Sequence, residues 1–231
     1  MHNVFVIMAK HPTPGRVKTR LQPVYSAEQS AGIQSVFLVH LVERFLNLSI
    51  GRVVVCFDPP GTQPEFERLL FPLGEGAITF LPQSTGDLGA RLADASRALA
   101  NDFSRVFFFG VDSPDVPDEY LRTLVALLDT HDAVIAPTDD GGFWSMGVKT
   151  SIDLAPIFHD VEWSSGREMA QVVENLNRCA VSVALADAWT DVDRPADMVA
   201  LMERLKNSPI AHDVGLFAKL IGVVQRNGVS P

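Results

Sequence analysis

A three-layer α/β/α fold with a mostly parallel central sheet is predicted by three features of the chain. Short β-rich runs alternate with longer amphipathic ones, the pattern of βαβ units. Gly and Pro fall between these runs as turn punctuation. The 231 residues, 47% of them hydrophobic, are enough for a sizeable core in one large domain or two small ones.

The first strand is read at Val4–Met8, and the first long helix starts behind Ser26, which has capping-box spacing to Gln29. Ile33, Val36, Phe37, His40, Leu41 and Leu48 recur at helical spacing and are expected to face the sheet, with His40 as a core histidine. Strands follow at Val53–Phe57 and Ile78–Leu81, around a helix at Glu65–Leu70. Leu88–Ala100 reads as a helix, Val106–Phe109 as a very apolar strand and Asp118–Asp129 as a helix. Strands at Ala133–Ala136 and Trp144–Val148 flank an Asp-Gly-Gly turn, which is a hairpin signal. The pattern closes with a helix at Arg167–Arg178, a strand at Val181–Leu185 and a helix at Ala196–Leu205. Ser165 and Glu168 again have capping-box spacing. One domain over residues 1–205 is therefore expected, with 206–231 as a helical tail. That tail carries an apolar pattern (Val214, Phe217, Leu220, Ile221) able to dock on the domain or on a second copy, which leaves a homodimer open.

A net charge of −9 argues against a nucleic-acid or anionic-membrane surface, which needs clustered Lys and Arg. No apolar stretch reaches the ~18 residues of a membrane span. The opening residues lack the basic start of a signal peptide, and Cys56 lies in an apolar run as a buried free thiol, so a reducing cytoplasm is expected. There is no Gly-x-Ser-x-Gly elbow, His-Glu-x-x-His or Cys-x-x-Cys, and no Gly-x-Gly-x-x-Gly follows the first strand.

In open α/β sheets ligands bind beyond the carboxyl ends of the strands, and five loops there stand out. The loop Lys10–Arg20 places Lys10, Arg16, Lys18 and Arg20 with Gly15 in eleven residues of an acidic protein. Free backbone N–H groups and converging cations suit a polyphosphate, although the Gly-Lys-Ser/Thr of a Walker loop is missing. Asp112 ends a buried strand, where a carboxylate needs a neutralising partner; Mg²⁺ bridging phosphate oxygens suits it, since this ion uses only one or two carboxylates. Asp115 reads as the N-cap of the helix that Pro117 begins. Asp193, in Trp189-Thr-Asp-Val-Asp-Arg, either caps the last helix or completes a metal site with Asp112. The turn containing Gly86, Asp87 and Gly89 allows close approach of a base or ribose, with Asp87 as a competing N-cap. Asp140, Gly141, Gly142, Phe143 and Trp144 suit a polyhydroxylated small-molecule acceptor through an exposed aromatic pair beside carboxylates.

With these loops in order, the chain resembles the nucleotide-diphospho-sugar transferase superfamily of GT-A fold. Within it the chain is similar to the glycosyltransferase-like family called rSAM/selenodomain-associated transferase 1 (DUF2064). The matching runs are Ala9–Leu21, Gly86–Leu92, Gly110–Asp115, Asp140–Phe143 and Asp191–Asp197. The superfamily also includes molybdenum-cofactor and phospholactate guanylyltransferases, whose Gly-Gly first loop is absent here. The resemblance implies that Lys18 and Arg20 hold diphosphate or triphosphate oxygens and that Asp112 and Asp193 bind Mg²⁺ or Mn²⁺. It also implies that the Gly86–Gly89 turn contacts the nucleoside. Arg194 stands where the family often has Thr. Three functions follow as expectations: a metal-dependent glycosyltransferase using a nucleotide sugar, a nucleotidyltransferase releasing pyrophosphate, and a non-catalytic nucleotide-binding module.

Overall fold

The computed structural model describes residues 2–225. All seven expected strands form: β1 Asn3–Lys10, β2 Arg52–Asp58, β3 Ile78–Pro82, β4 Arg105–Phe109, β5 Ala133–Pro137, β6 Phe143–Lys149 and β7 Val183–Leu185. They make one sheet in the order β3-β2-β1-β4-β6-β5-β7. Every pairing is parallel except the two that β6 makes, with β4 and β5. The Asp-Gly-Gly hairpin is the cause, because a tight turn returns β6 antiparallel to β5.

The helices are α1 Ala27–Leu48, α2 Gln63–Leu70, α3 Leu88–Leu99, α4 Asp118–Leu127, α5 Glu168–Arg178, α6 Pro195–Asn207 and α7 Ala211–Gln225. Apolar residues of α1, α2 and α4 cover one face of the sheet through Leu38, Leu41, Phe45, Phe66, Leu70, Leu121 and Leu124. Those of α3 and α5 cover the other through Leu92, Leu99, Val172 and Leu176. Phe5 of β1 lies at the centre of the first core, with Phe45, Phe107 and Phe109 each within 5.4 Å of it, ring centre to ring centre. Burial pushes the Cys56 thiol up to about 12, and Cys179 is exposed.

The capping box at Ser26 is present: Ser26 Oγ accepts from Gln29 N and the Gln29 side chain accepts from Ser26 N. Behind it, α1 departs from its expected single face. Ile33 and Phe37 turn away from the sheet and pack with Leu21, Met198, Leu201, Leu205, Leu216 and Leu220 in a third core. Leu38, Leu41, Val42 and Phe45 are the residues that face the sheet. The helix is buried on two sides, so its apolar residues exceed one stripe. The second side is covered by α6 and by α7, which lies within the expected tail. Of the pattern expected in α7, Leu220 is buried and Phe217 packs partly on this core, but Leu216 and Val224 complete the buried stripe and Val214 is exposed. Residues 226–231 of the tail lie outside the described residues.

His40 sits on the second side of α1, its ring 5.8 Å from that of His212. Burial, reinforced by Arg44, His212 and Lys219, lowers its pKa to about 3, against a bond to the Pro114 carbonyl. The unfolded chain takes up this proton near pH 6.5 and the folded chain only near 3. Stability held above pH 6.5 is therefore lost as pH falls towards 3, by about 1.4 kcal/mol per pH unit. Urea unfolding of wild type and His40→Gln should thus show a gap that narrows in favour of the variant from pH 7 to pH 4. A gap constant with pH would show that His40 is not buried neutral.

Candidate active site

Strand order reverses at β1, whose neighbours are β2 and β4, and the loops leaving β1 and β4 diverge above the sheet. A cleft of about 300 Å³ opens there, lined by Lys10, Arg16, Lys18, Arg20, Gly110, Asp112 and Asp193 among others. Both carboxylates and all four cations expected in the first loop therefore face one space.

Lys18 organises it. Its backbone is left-handed (φ 47°) at the entry to a short 3₁₀ turn, and its stem runs beside Phe37, with Nζ 5.2 Å from the ring centre. The side chain is 3% exposed, and Nζ donates to Val192 O and to Asp112 Oδ1, each at 2.5 Å. Val192 N in turn donates to Asp112 O at 2.8 Å. One residue thus joins the Asp112 and Asp193 loops through both its backbone groups. The Asp112 side chain is 39% exposed, so the charge needing neutralisation is the ammonium rather than the carboxylate.

Asp193 is also 39% exposed and pairs with Arg20 at 2.8 Å. It does not cap α6. Asp197 does that, accepting from Asp193 N and Arg194 N at 3.1 and 2.7 Å, which leaves the Asp193 carboxylate directed to the cleft. Asp115 is likewise no cap, since α4 begins after Pro117 and Asp115 is buried. It accepts from Arg204 Nε at 2.6 Å and from Trp189 Nε1 at 3.2 Å. Arg44, buried in α1, donates to Pro114 O, Val116 O and Asp118. The stretch after Asp112 is therefore held by arginines from two helices, Arg44 of α1 and Arg204 of α6.

Asp191, which is not among the expected site residues, has the most perturbed carboxyl among the described residues. It is pushed up to about 7, first by burial and then by the charges of Asp112 and Asp140, while Ser113 and Lys18 oppose the rise. Ser113 Oγ donates to it at 2.5 Å. The only signal available in the sequence was its spacing of two from Asp193, which places both in one loop but says nothing of burial.

Gly86, Asp87 and Gly89 are not among the residues lining this cleft. Asp87 caps α3, accepting from Ala90 N at 2.8 Å. Gly89 lies under Phe158, where an added Cβ would come within 2.5 Å. The hairpin turn packs as closely: at Gly141 (φ +90°) a Cβ would lie 2.0 Å from Gly166 O. Asp140 accepts from Thr138 Oγ1 and Gly142 N, and the Thr138 bond is the first cause holding it below the usual carboxylate range. The expected exposed aromatic pair is not formed, because Trp144 is buried and donates to Asp187 O. Phe143 and Trp144 instead line a second cleft of about 200 Å³ together with Leu88, Leu92, Asp112 and Asp191.

Removing one partner from a buried charged pair leaves the other unsatisfied, at a cost of about 2 kcal/mol. Asp112→Ala is therefore predicted to lower unfolding stability by about that amount through Lys18. Lys18→Met in the same chain should recover part of it, giving a coupling of about 1 kcal/mol or more in a double-mutant cycle. Strict additivity would contradict the pairing.

Known structures share this architecture. Over the full length of both chains, the chain is 26% identical, with a TM-score of 0.83, to a protein assigned as a nucleotide-diphospho-sugar transferase from Desulfovibrio desulfuricans G20. It shares its fold with a cytidylyltransferase from Leptospira borgpetersenii (14% identity, all of both chains, TM-score 0.60). A CMP:2-keto-3-deoxy-manno-octonic acid synthetase complexed with CTP is similar over 88% of this chain and 99% of that one, at 15% identity and a TM-score of 0.55. No curated protein matches the chain. With the family model matching residues 41–165, more than half of its length, the chain belongs to the family described as uncharacterized protein conserved in bacteria (DUF2064).

Proposed function

We propose that this protein is a metal-dependent transferase acting on a nucleotide-activated substrate, and that the group it moves is a glycosyl group from a nucleotide sugar. The observation that carries this reading is the single cleft in which Lys10, Arg16, Lys18 and Arg20 meet Asp112 and Asp193. Four cations around a cleft of about 300 Å³ suit a diphosphate, and positive groups of this kind stabilise charge developing on phosphate oxygens. The similarity to the Desulfovibrio protein supports the glycosyl reading.

The residues also fit a divalent cation. Among the described residues no three His, Cys, Asp or Glu side chains converge to hold a metal alone. Asp112 and Asp193, half-exposed on one cleft, match the needs of Mg²⁺ or Mn²⁺, which complete their shells with phosphate oxygens and water. Such an ion, bound there, supplies Lewis-acid stabilisation of the leaving diphosphate. Lys18 and Arg20, now paired to those carboxylates, are placed to turn to the phosphate oxygens. In the transfer an acceptor hydroxyl oxygen bonds to the anomeric carbon. The bond from that carbon to the diphosphate oxygen breaks, its electron pair leaves with the nucleoside diphosphate, and the hydroxyl proton passes to water.

A second reading is nucleotidyl transfer, favoured by the number of cations in the cleft. In it a substrate oxygen bonds to the α-phosphorus of a nucleoside triphosphate and pyrophosphate leaves. The two readings part on ligand and product. Thermal melting with nucleotide sugars, nucleoside triphosphates, Mg²⁺ and EDTA should show a Mg²⁺-dependent rise of a few degrees with a nucleotide sugar, since a ligand at ~100 times its Kd adds ~2.7 kcal/mol. A rise with one triphosphate alone, and pyrophosphate as product, would replace the glycosyl reading with the nucleotidyl one. Binding without turnover would make the protein a nucleotide-binding module. Lys18→Ala should weaken nucleotide binding at least tenfold in calorimetry; unchanged affinity would remove Lys18 from the phosphate site.

A further inference from the structure

The two clefts adjoin and differ in chemistry. They share Met8, Gly110 and Asp112, so the Asp112 carboxylate stands between them. On one side are four cations. On the other, the cleft of about 200 Å³ is walled by Leu88, Leu92, Phe143 and Trp144, with Asp112 and Asp191 as its charged groups. No lysine, arginine or histidine is among its lining residues.

We infer that this second cleft is the acceptor site, and that it takes an uncharged alcohol with an apolar body. The inference rests on the transferase reading of the first cleft and adds the chemical class of the second substrate. Three observations carry it. The cleft touches the reacting position, because it shares Asp112 with the phosphate cleft. Its volume is right for a ring or short chain, since a dry cavity of ~150 Å³ holds a benzene molecule. Its charge is wrong for an anion. A phosphate or carboxylate acceptor entering it would face the carboxyl groups of Asp112 and Asp191. The neighbouring Lys18 ammonium is already paired to Asp112 and Val192 O and is not among the lining residues, and burying an unpaired charge is costly. A hydroxyl can instead donate to a carboxylate oxygen at the junction while its apolar body covers Leu88, Leu92 and Phe143.

The architecture agrees with this division. The second cleft lies beyond β4 and β6, where the reversed strand brings the Phe143–Trp144 pair up beside the Asp112 loop. The basic loop belongs to β1, on the other side of β4.

A matched set of probes isolates the charge. Benzyl alcohol, benzoate and benzyl phosphate are titrated into ¹⁵N-labelled protein, and the indole signal of Trp144 is followed, assigned with Trp144→Phe. Benzyl alcohol is expected to shift that signal saturably, with benzoate and benzyl phosphate at least tenfold weaker. Leu88→Arg, at a partly exposed position that tolerates a long side chain, should reverse the order in favour of benzoate. Anions binding at Trp144 as tightly as the alcohol would overturn the proposal, and so would the absence of any response there. Uridine and guanosine diphosphate with Mg²⁺, titrated separately and followed by ³¹P signals, test the phosphate cleft alone. A diphosphate response without an alcohol response sinks only the acceptor proposal. An alcohol response with no diphosphate response leaves an apolar site without a donor, and overturns the transferase reading together with the acceptor role.

Discussion

The site depends on an ammonium group that the fold buries. Lys18 leaves the first loop in a left-handed conformation, passes beside Phe37 and ends between Val192 O and Asp112. A lysine is buried only when its charge is met, and here the two partners come from loops separated by eighty residues of chain. Satisfying one nitrogen therefore fixes the relative position of three loops. The arginines on the helices extend the same logic: Arg44 binds the carbonyls of the Asp112 loop and Arg204 binds Asp115 within it. The loop carrying Asp112 is thus tied to rigid helices although it is itself irregular.

Strand order explains why a cleft opens between these loops. With β1 central and chain direction diverging to β2 on one side and β4 on the other, the space above the C-terminal ends of β1 and β4 cannot be filled by a crossing connection. The antiparallel β6 then places its start, rather than its end, at the same edge. That brings aromatic residues beside the Asp112 loop and gives the second cleft its apolar wall.

Much of this was legible in the residues. Each strand announced itself as an apolar run of strand length, the Ser26–Gln29 box marked the start of α1, and the basic loop and Asp112 were visible because they broke the surrounding pattern. What stayed hidden depended on tertiary partners. Ile33 and Phe37 carry a helical period, but periodicity cannot tell which of two layers a residue faces. In α7 the pattern located Leu220 and Phe217 but missed Leu216 and Val224, because adjacent apolar pairs (Leu216–Phe217, Leu220–Ile221, Val223–Val224) blur the phase. Asp115, Asp193 and Asp197 are all credible caps by position, and only the packing of α6 and Trp189 separates the one that caps from the other two. Asp191 was equally hidden, since burial rather than spacing sets its chemistry.

We propose that Asp112 and Asp193 would together hold one divalent ion beside a diphosphate bound by Lys18. Anomalous diffraction from crystals grown with Mn²⁺ and a nucleoside diphosphate tests it directly. A single Mn²⁺ peak within coordinating distance of both carboxylates, with the diphosphate oxygens on Lys18, is the predicted result. A peak bound elsewhere, or a diphosphate lying away from Lys18, would contradict it.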